Sequence, residues 1–213
     1  MISRMVYRAQ WKDGMEEAGT DRLREQIPAV KALAEAGRIM TLSVYRWQKN
    51  VFLYCECIDC EIHPDELFPA AENFLEAWPG KAGKRKWIPM TDVFHFNEPV
   101  SVEHWKRKTP VERRIGMVAH LRQEMIASYI YYHYQLQEER TFSGDKYEYI
   151  ALHENLLFGY LERPEIVEEP LTPKKLNTAG TPVNWEDSRM NLHFLRWEDG
   201  TPYFKDIELI FSA

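Results

Sequence analysis

The 213-residue chain has little cysteine: Cys55, Cys57 and Cys60 are its three, set close together. An odd number at this spacing makes a poor disulfide framework, and without a fourth ligand it makes a poor zinc site. Reduced, partly buried thiols in a cytoplasmic protein are therefore expected, with Cys55 and Cys57 on one face of a strand. Long apolar runs are also lacking. No stretch approaches the ~20 apolar residues of a membrane span. Met1-Ile2-Ser3-Arg4-Met5 does not open a signal peptide, so no membrane contact is expected. Positive charge is not in excess: 27 Lys and Arg stand against 33 Asp and Glu. That balance argues against nucleic acid as a partner, and Lys84-Arg85-Lys86 reads as a solvated turn. There is no glycine-rich phosphate loop, which excludes the usual nucleotide sites. The seven histidines show no HxH, HxxxH or HExxH spacing, so no metal is expected.

Aromatic residues are plentiful, with 7 Trp, 11 Tyr and 10 Phe. They serve cores and small-molecule pockets alike. They also carry a repeat. Val51-Phe-Leu-Tyr-Cys-Glu56 and Leu157-Phe-Gly-Tyr-Leu-Glu162 share Phe-x-Tyr-x-Glu. A tyrosine on a neighbouring strand precedes each, Tyr45 and Tyr149. An asparagine stands in each intervening turn, Asn50 and Asn155. Upstream, Arg4–Ala9 resembles Ile115–His120; downstream, Met90–Phe96 resembles Phe204–Phe211. Several matches in one order make duplication the better reading.

Each half then reads strand, helix, strand, strand, helix, strand. The predicted fold class is α+β: two tandem ferredoxin-like βαββαβ units, packed sheet to sheet as an intramolecular dimeric α/β barrel. The first half covers 1–97 and the second 114–213. A charged linker with Pro99 and Pro110 spans 98–113, of which Val102 and Trp105 are the packing candidates. The first helix runs from about Gly14 to Ala36, bent or broken at Pro28 and stopped at Gly37. The second half's helix runs from about Gln123 to Arg140. Hairpins turn at Gln48-Lys49-Asn50 and near His153-Glu154-Asn155.

On that second helix, Ile126, Tyr129, Ile130, His133, Leu136 and Gln137 recur at three- and four-residue intervals. Tyr129 and His133 are thus stacked neighbours on its apolar face. Tyr147 and Tyr149 alternate on the following strand and share one sheet face. Two readings stay open. His133 is a core histidine among packing tyrosines, or it serves an aromatic-lined cavity.

Within each half, the element order and the strand pair ending in Phe-x-x-x-Glu resemble the L-rhamnose mutarotases. That resemblance implies a ferredoxin-like fold paired through its sheets and interconversion of the sugar's anomers. It also implies a helical Tyr-x-x-x-His pair, matched by Tyr129 and His133, in which the histidine donates a proton. Asn155-Leu156-Leu157-Phe158 and Glu162 match the family's hairpin strand, Tyr149 an aromatic position, and Trp185 the tryptophan that closes the pocket. The first half departs from the pattern. Ala18, Arg22 and Leu23 stand near the expected pair, so its site is read as degenerate, with Trp78 as its pocket tryptophan.

Mutarotation moves protons without redox change, so no cofactor is expected. A histidine near its ordinary pKa suits that task. The leading expectation is a monosaccharide mutarotase, an isomerase with His133 catalytic and Tyr129, Tyr149 and Trp185 binding substrate. The partner is then a small sugar, and the chain a pseudodimer open to further association. The alternatives are a non-catalytic small-molecule-binding barrel and a cofactor-free monooxygenase-like barrel.

Overall fold

The computed structural model describes residues 1–80 and 83–213, apart from the side chain of Trp185. In chain order the elements begin with β1 (Ile2–Gln10), α1 (Glu16–Arg24), α2 (Ile27–Glu35), β2 (Ile39–Trp47) and β3 (Asn50–Ile58). A short α3 (Pro64–Leu67) and a 3₁₀ turn (Pro69–Phe74) lead to β4 (Ile88–Pro89), β5 (Thr91–His95) and α4 (Val102–Trp105). Next come β6 (Arg113–His120), a 3₁₀ turn (Gln123–Met125), α5 (Ile126–Glu139), β7 (Gly144–Asp145), β8 (Tyr149–His153) and β9 (Leu156–Arg163). The last elements are β10 (Val167–Glu168), two 3₁₀ turns (Trp185–Ser188 and Met190–Leu192) and β11 (Lys205–Ser212). No helix among the described residues is long and apolar enough to cross a membrane.

The class is α+β with antiparallel pairing, as expected. The chain forms two compact units that do not follow chain order. The first contains Met1–Met90, Pro99–Pro110 and Ile207–Ala213. The second contains Thr91–Glu98 and Val111–Asp206. Each unit therefore takes in the strand that ends the other's stretch of chain. The first unit's sheet has the order β4-β1-β3-β2-β11. The second unit's sheet has the order β6-β9-β8-β5.

Local chemistry explains the shared elements. Both central hairpins have two-residue loops, closed by Trp47 opposite Asn50 and by His153 opposite Leu156. The first loop residue has positive φ in each, 53° at Gln48 and 59° at Glu154. That sense of turn matches the strands' twist. The predicted first helix breaks between Arg24 and Ile27, and Pro28 begins α2, where its missing N–H costs no helical bond. Gly37, at φ +70°, ends α2. The repeated Phe-x-Tyr-x-Glu motif has one geometry in both units: Tyr54 donates to Glu56 and Tyr160 to Glu162, each at 2.6 Å. All four side chains are buried.

Two features differ from the expected βαββαβ pattern. The second helix of each half is replaced among the described residues by short helical and 3₁₀ turns. Both stretches are rich in Pro, Gly, Asn and charge, which favour turns over helix propagation. The stretch 99–110, read from its composition as a linker, is packed. Trp105 is fully buried, Arg4 lies over its ring at 5.0 Å, and Arg107 forks onto the buried Glu56 carboxylate. The arginine beside it holds Glu56 below the ordinary carboxylate range, although burial pushes the other way.

Candidate functional site

The second unit's core lies between α5 and one face of its sheet. Ala119, Ile150, Leu152 and Leu157 meet Tyr129 there, with Val93 and Phe94 from β5. Strand alternation selects these residues. Ile150 pairs with Gly159 and Leu152 with Leu157 on one face, while Tyr149 pairs with Tyr160 on the other.

Tyr129 and His133 sit one helical turn apart with ring centroids 4.0 Å apart. The His133 Nδ1–H donates to the Tyr129 carbonyl at 2.9 Å, which leaves Nε2 as the acceptor nitrogen. Phe94 meets the imidazole edge-on at 5.7 Å. Burial lowers the His133 pKa to about 4, the bond to the Tyr129 carbonyl opposes that, and nearby His193 lowers it further. The expected near-ordinary pKa is thus corrected: the imidazole is neutral near pH 7 because the enclosing side chains do not solvate a cation. Burial and then Glu148 raise the Tyr129 phenol, which therefore stays protonated.

His133 and Ile150 line two cavities. One, of about 620 Å³, is walled by Tyr129, Met190, Phe194, Tyr203 and Phe204, with Glu186 and Asn191. The other, of about 760 Å³, is walled by Phe94, Leu136, Phe142, Pro182 and Val183, with Glu139, Thr141, Glu148 and Thr181. Gly159 stands where the first half has Leu53. A Cβ there would lie 3.3 Å from Met117 Cε and 3.4 Å from the Phe204 ring, so a side chain larger than alanine would press on that wall. Trp11 follows β1 as Leu121 follows β6, and both backbone N–H groups bond the hairpin turn at 2.8 Å. The Trp11 ring is fully buried against Gly19, where a Cβ would come within 2.4 Å. Leu23 of the expected degenerate region is buried in that core.

A strap from the long β10–β11 connection bounds the larger cavity. Lys175 and Leu176 donate backbone N–H groups to the Glu138 carbonyl at 2.9 and 3.2 Å. Gln135 bonds Thr178 at 2.9 Å. The Glu139 carboxylate accepts from the Thr178 hydroxyl, from Gly180 N at 3.0 Å and from Thr181 N at 2.8 Å. Those bonds, the Thr178 hydroxyl's first, hold Glu139 down at about 2.

Of the residues singled out by sequence, the structure brings Tyr129 and His133 to one cavity. Tyr149 is placed on the opposite sheet face from Ile150, stacked on His95 at 5.9 Å. Tyr149, expected to bind substrate beside His133, thus lies on the sheet face away from the cavity wall formed by Ile150. The backbone of Trp185 opens a 3₁₀ turn next to Glu186, and its side chain lies outside the described residues. Among the described residues no group of three or more His, Cys, Asp or Glu side chains is placed to hold a metal ion. Ile130, assigned to the apolar face, is exposed. Glu186, Met190, Asn191, Tyr203 and Phe204 were not foreseen, because their 3₁₀ turns and loops carry no periodic signal. Glu139 was not foreseen because a helix-end glutamate reads as solvated.

No protein-family model matches the chain, and no curated protein matches it. Among solved structures it is similar to two crystal structures described as "putative monooxygenase". The one from Lactobacillus acidophilus NCFM is 6% identical with TM-score 0.41, the match covering 100% of this chain and 95% of that one. The one from Fusobacterium nucleatum subsp. nucleatum ATCC 25586 is 10% identical with TM-score 0.38, over 99% and 93%. It is also similar to an anthrone oxidase-like protein, 7% identical with TM-score 0.38, over 100% and 92%.

Proposed function

We propose that the cavities around His133 bind a flat, largely apolar small molecule whose proton His133 accepts, and that the chain acts as a cofactor-free monooxygenase. One observation carries this reading: a buried, neutral imidazole lines two cavities whose walls include Phe94, Phe142, Phe194 and Phe204. Aromatic walls suit a planar ring system. A neutral imidazole accepts a proton at Nε2. The substrate is a CH₂ group acidified by flanking aromatic or carbonyl groups. Its proton passes to His133. The carbanion gives one electron to dioxygen, and the two radicals join as a peroxide. The peroxide takes the proton back, and loss of water leaves a ketone. The net reaction converts R₂CH₂ and O₂ to R₂CO and H₂O, four electrons passing from carbon to oxygen. The low pKa of His133 eases the return of the proton.

A second reading, the sugar mutarotase, is favoured by the placing of Tyr129 and His133 at one cavity. Both readings pass His133 through an imidazolium that burial disfavours; against the mutarotase, the largely aromatic and aliphatic walls suit a planar ring better than a sugar's hydroxyls. We also infer descent of both halves from one βαββαβ ancestor, on the strength of the matched hairpins and Tyr–Glu pairs.

The test uses anthrone, a tricyclic ketone with an activated CH₂, in chelator-treated buffer without flavin. Oxygen uptake and quinone absorbance are expected with the wild type and are lost in His133→Phe. Faster L-rhamnose anomer exchange by NMR, without oxygen uptake, would favour the mutarotase. Tight anthrone binding with neither activity would identify a carrier.

A further inference from the structure

Beside the smaller of the His133 cavities, the second unit contains a nucleophile, a base and an orienting carbonyl in hydrogen-bonded order. Ser128 lies in the first turn of α5, half-exposed. Its hydroxyl is 2.8 Å from His193 Nε2. His193 is buried, and its Nδ1 is 3.3 Å from the Arg189 carbonyl. A carbonyl only accepts, so Nδ1 carries the hydrogen and Nε2 accepts from the serine O–H. Arg189 supplies that carbonyl from a left-handed conformation, φ +51°, unusual for a residue with a side chain. The histidine segment is pinned to the strand end below it. His193 O accepts from Arg122 N, and Leu195 N donates to His120 O, each at 2.8 Å.

We infer that Ser128 and His193 form a second, acyl-transferring site for small activated esters. Ser128 is the nucleophile, His193 the base, and the Arg189 carbonyl the group that positions the imidazole. Two features separate this set from a buried structural bond. Ser128 is partly exposed, whereas His193 is buried. Tyr129, next to Ser128, and Phe194, next to His193, line the 620 Å³ cavity, whose Met190 and Phe204 walls suit an acyl chain. The serine oxygen attacks the ester carbonyl as its proton moves to Nε2. The carbon–alcohol bond breaks, and the alcohol leaves with that proton. Water then repeats the sequence and releases the acid, so ester and water give acid and alcohol.

The test is p-nitrophenyl acetate added to the full-length protein, read by nitrophenolate release and by intact and peptide mass. A burst of about one equivalent, with the acetyl group on Ser128, is expected. Ser128→Ala should lower the burst at least about tenfold, and His193→Gln should do the same. Ser128→Thr, which keeps a hydroxyl in reach of His193, should retain part of the burst. Should His193→Gln fail to fold, the two serine variants decide alone, because Ser128 is half-exposed and tolerates exchange. Equal release by the wild type and Ser128→Ala, with acetyl scattered over lysines, would overturn the proposal. Nitrophenolate release is read without anthrone and oxygen uptake without ester, so the two tests fail separately.

Discussion

His133→Gln removes a side chain whose pKa falls from an ordinary 6.5 to about 4 in the folded protein. Between those values the unfolded chain binds more protons than the folded one, so stability rises with pH across that window. The histidine's contribution is complete above pH 6.5 and drains away as pH falls toward 4. The whole gap corresponds to about 3 kcal/mol at ~1.4 kcal/mol per pKa unit. Between about pH 7.5 and pH 5 the linkage integral gives about 2 kcal/mol. Urea unfolding of both proteins at the two pH values measures it. Glutamine does not titrate, so the wild type should lose about 2 kcal/mol more than the variant on acidification. The comparison of slopes is insensitive to the variant's own packing cost. Equal pH dependence in the two proteins would show that His133 is solvated enough to titrate normally. The neutral proton acceptor in the proposed mechanism would then lose its basis.

Glu139→Gln should loosen the strap, seen as faster hydrogen exchange across 176–183, because a neutral amide accepts the Gly180 and Thr181 N–H groups less strongly. The carboxylate's pKa is depressed, so its hold is complete above the ordinary carboxylate value and lost as pH falls through about 2. The wild-type strap should therefore stay protected at pH 4. Gly159→Leu should press on Met117 and Phe204, narrow the smaller cavity and weaken anthrone binding at least about tenfold, a titration followed by ligand fluorescence. Tyr54→Phe and Tyr160→Phe each remove a hydroxyl from a buried carboxylate and should each cost about 1–3 kcal/mol in urea unfolding. Unchanged midpoints would show that water replaces the lost donor.

Much of the local structure was legible in the amino-acid sequence. The hairpins followed from alternating apolar runs around polar pairs, the helix break from Pro28, and the Tyr129–His133 contact from a four-residue interval. The paired Phe-x-Tyr-x-Glu motifs marked the matching strands of the two hairpins. All of these are set within a few residues, by backbone sterics and side-chain periodicity. Only tertiary structure decided the rest. Which face of β8 meets α5 depends on the register with β9, and a shift of one residue reverses it; that placed Ile150, and not Tyr149, beside His133. The cavity walls at Met190, Phe194 and Phe204 come from turns without a repeat, far along the chain from α5. Glu139 is buried because a strap some forty residues further on supplies its donors. The terminal strands join units that chain order does not indicate. Burial lowers the His133 pKa from the ordinary imidazole value to about 4. Desolvation belongs to the enclosing side chains collected by the fold, and no local pattern encodes it.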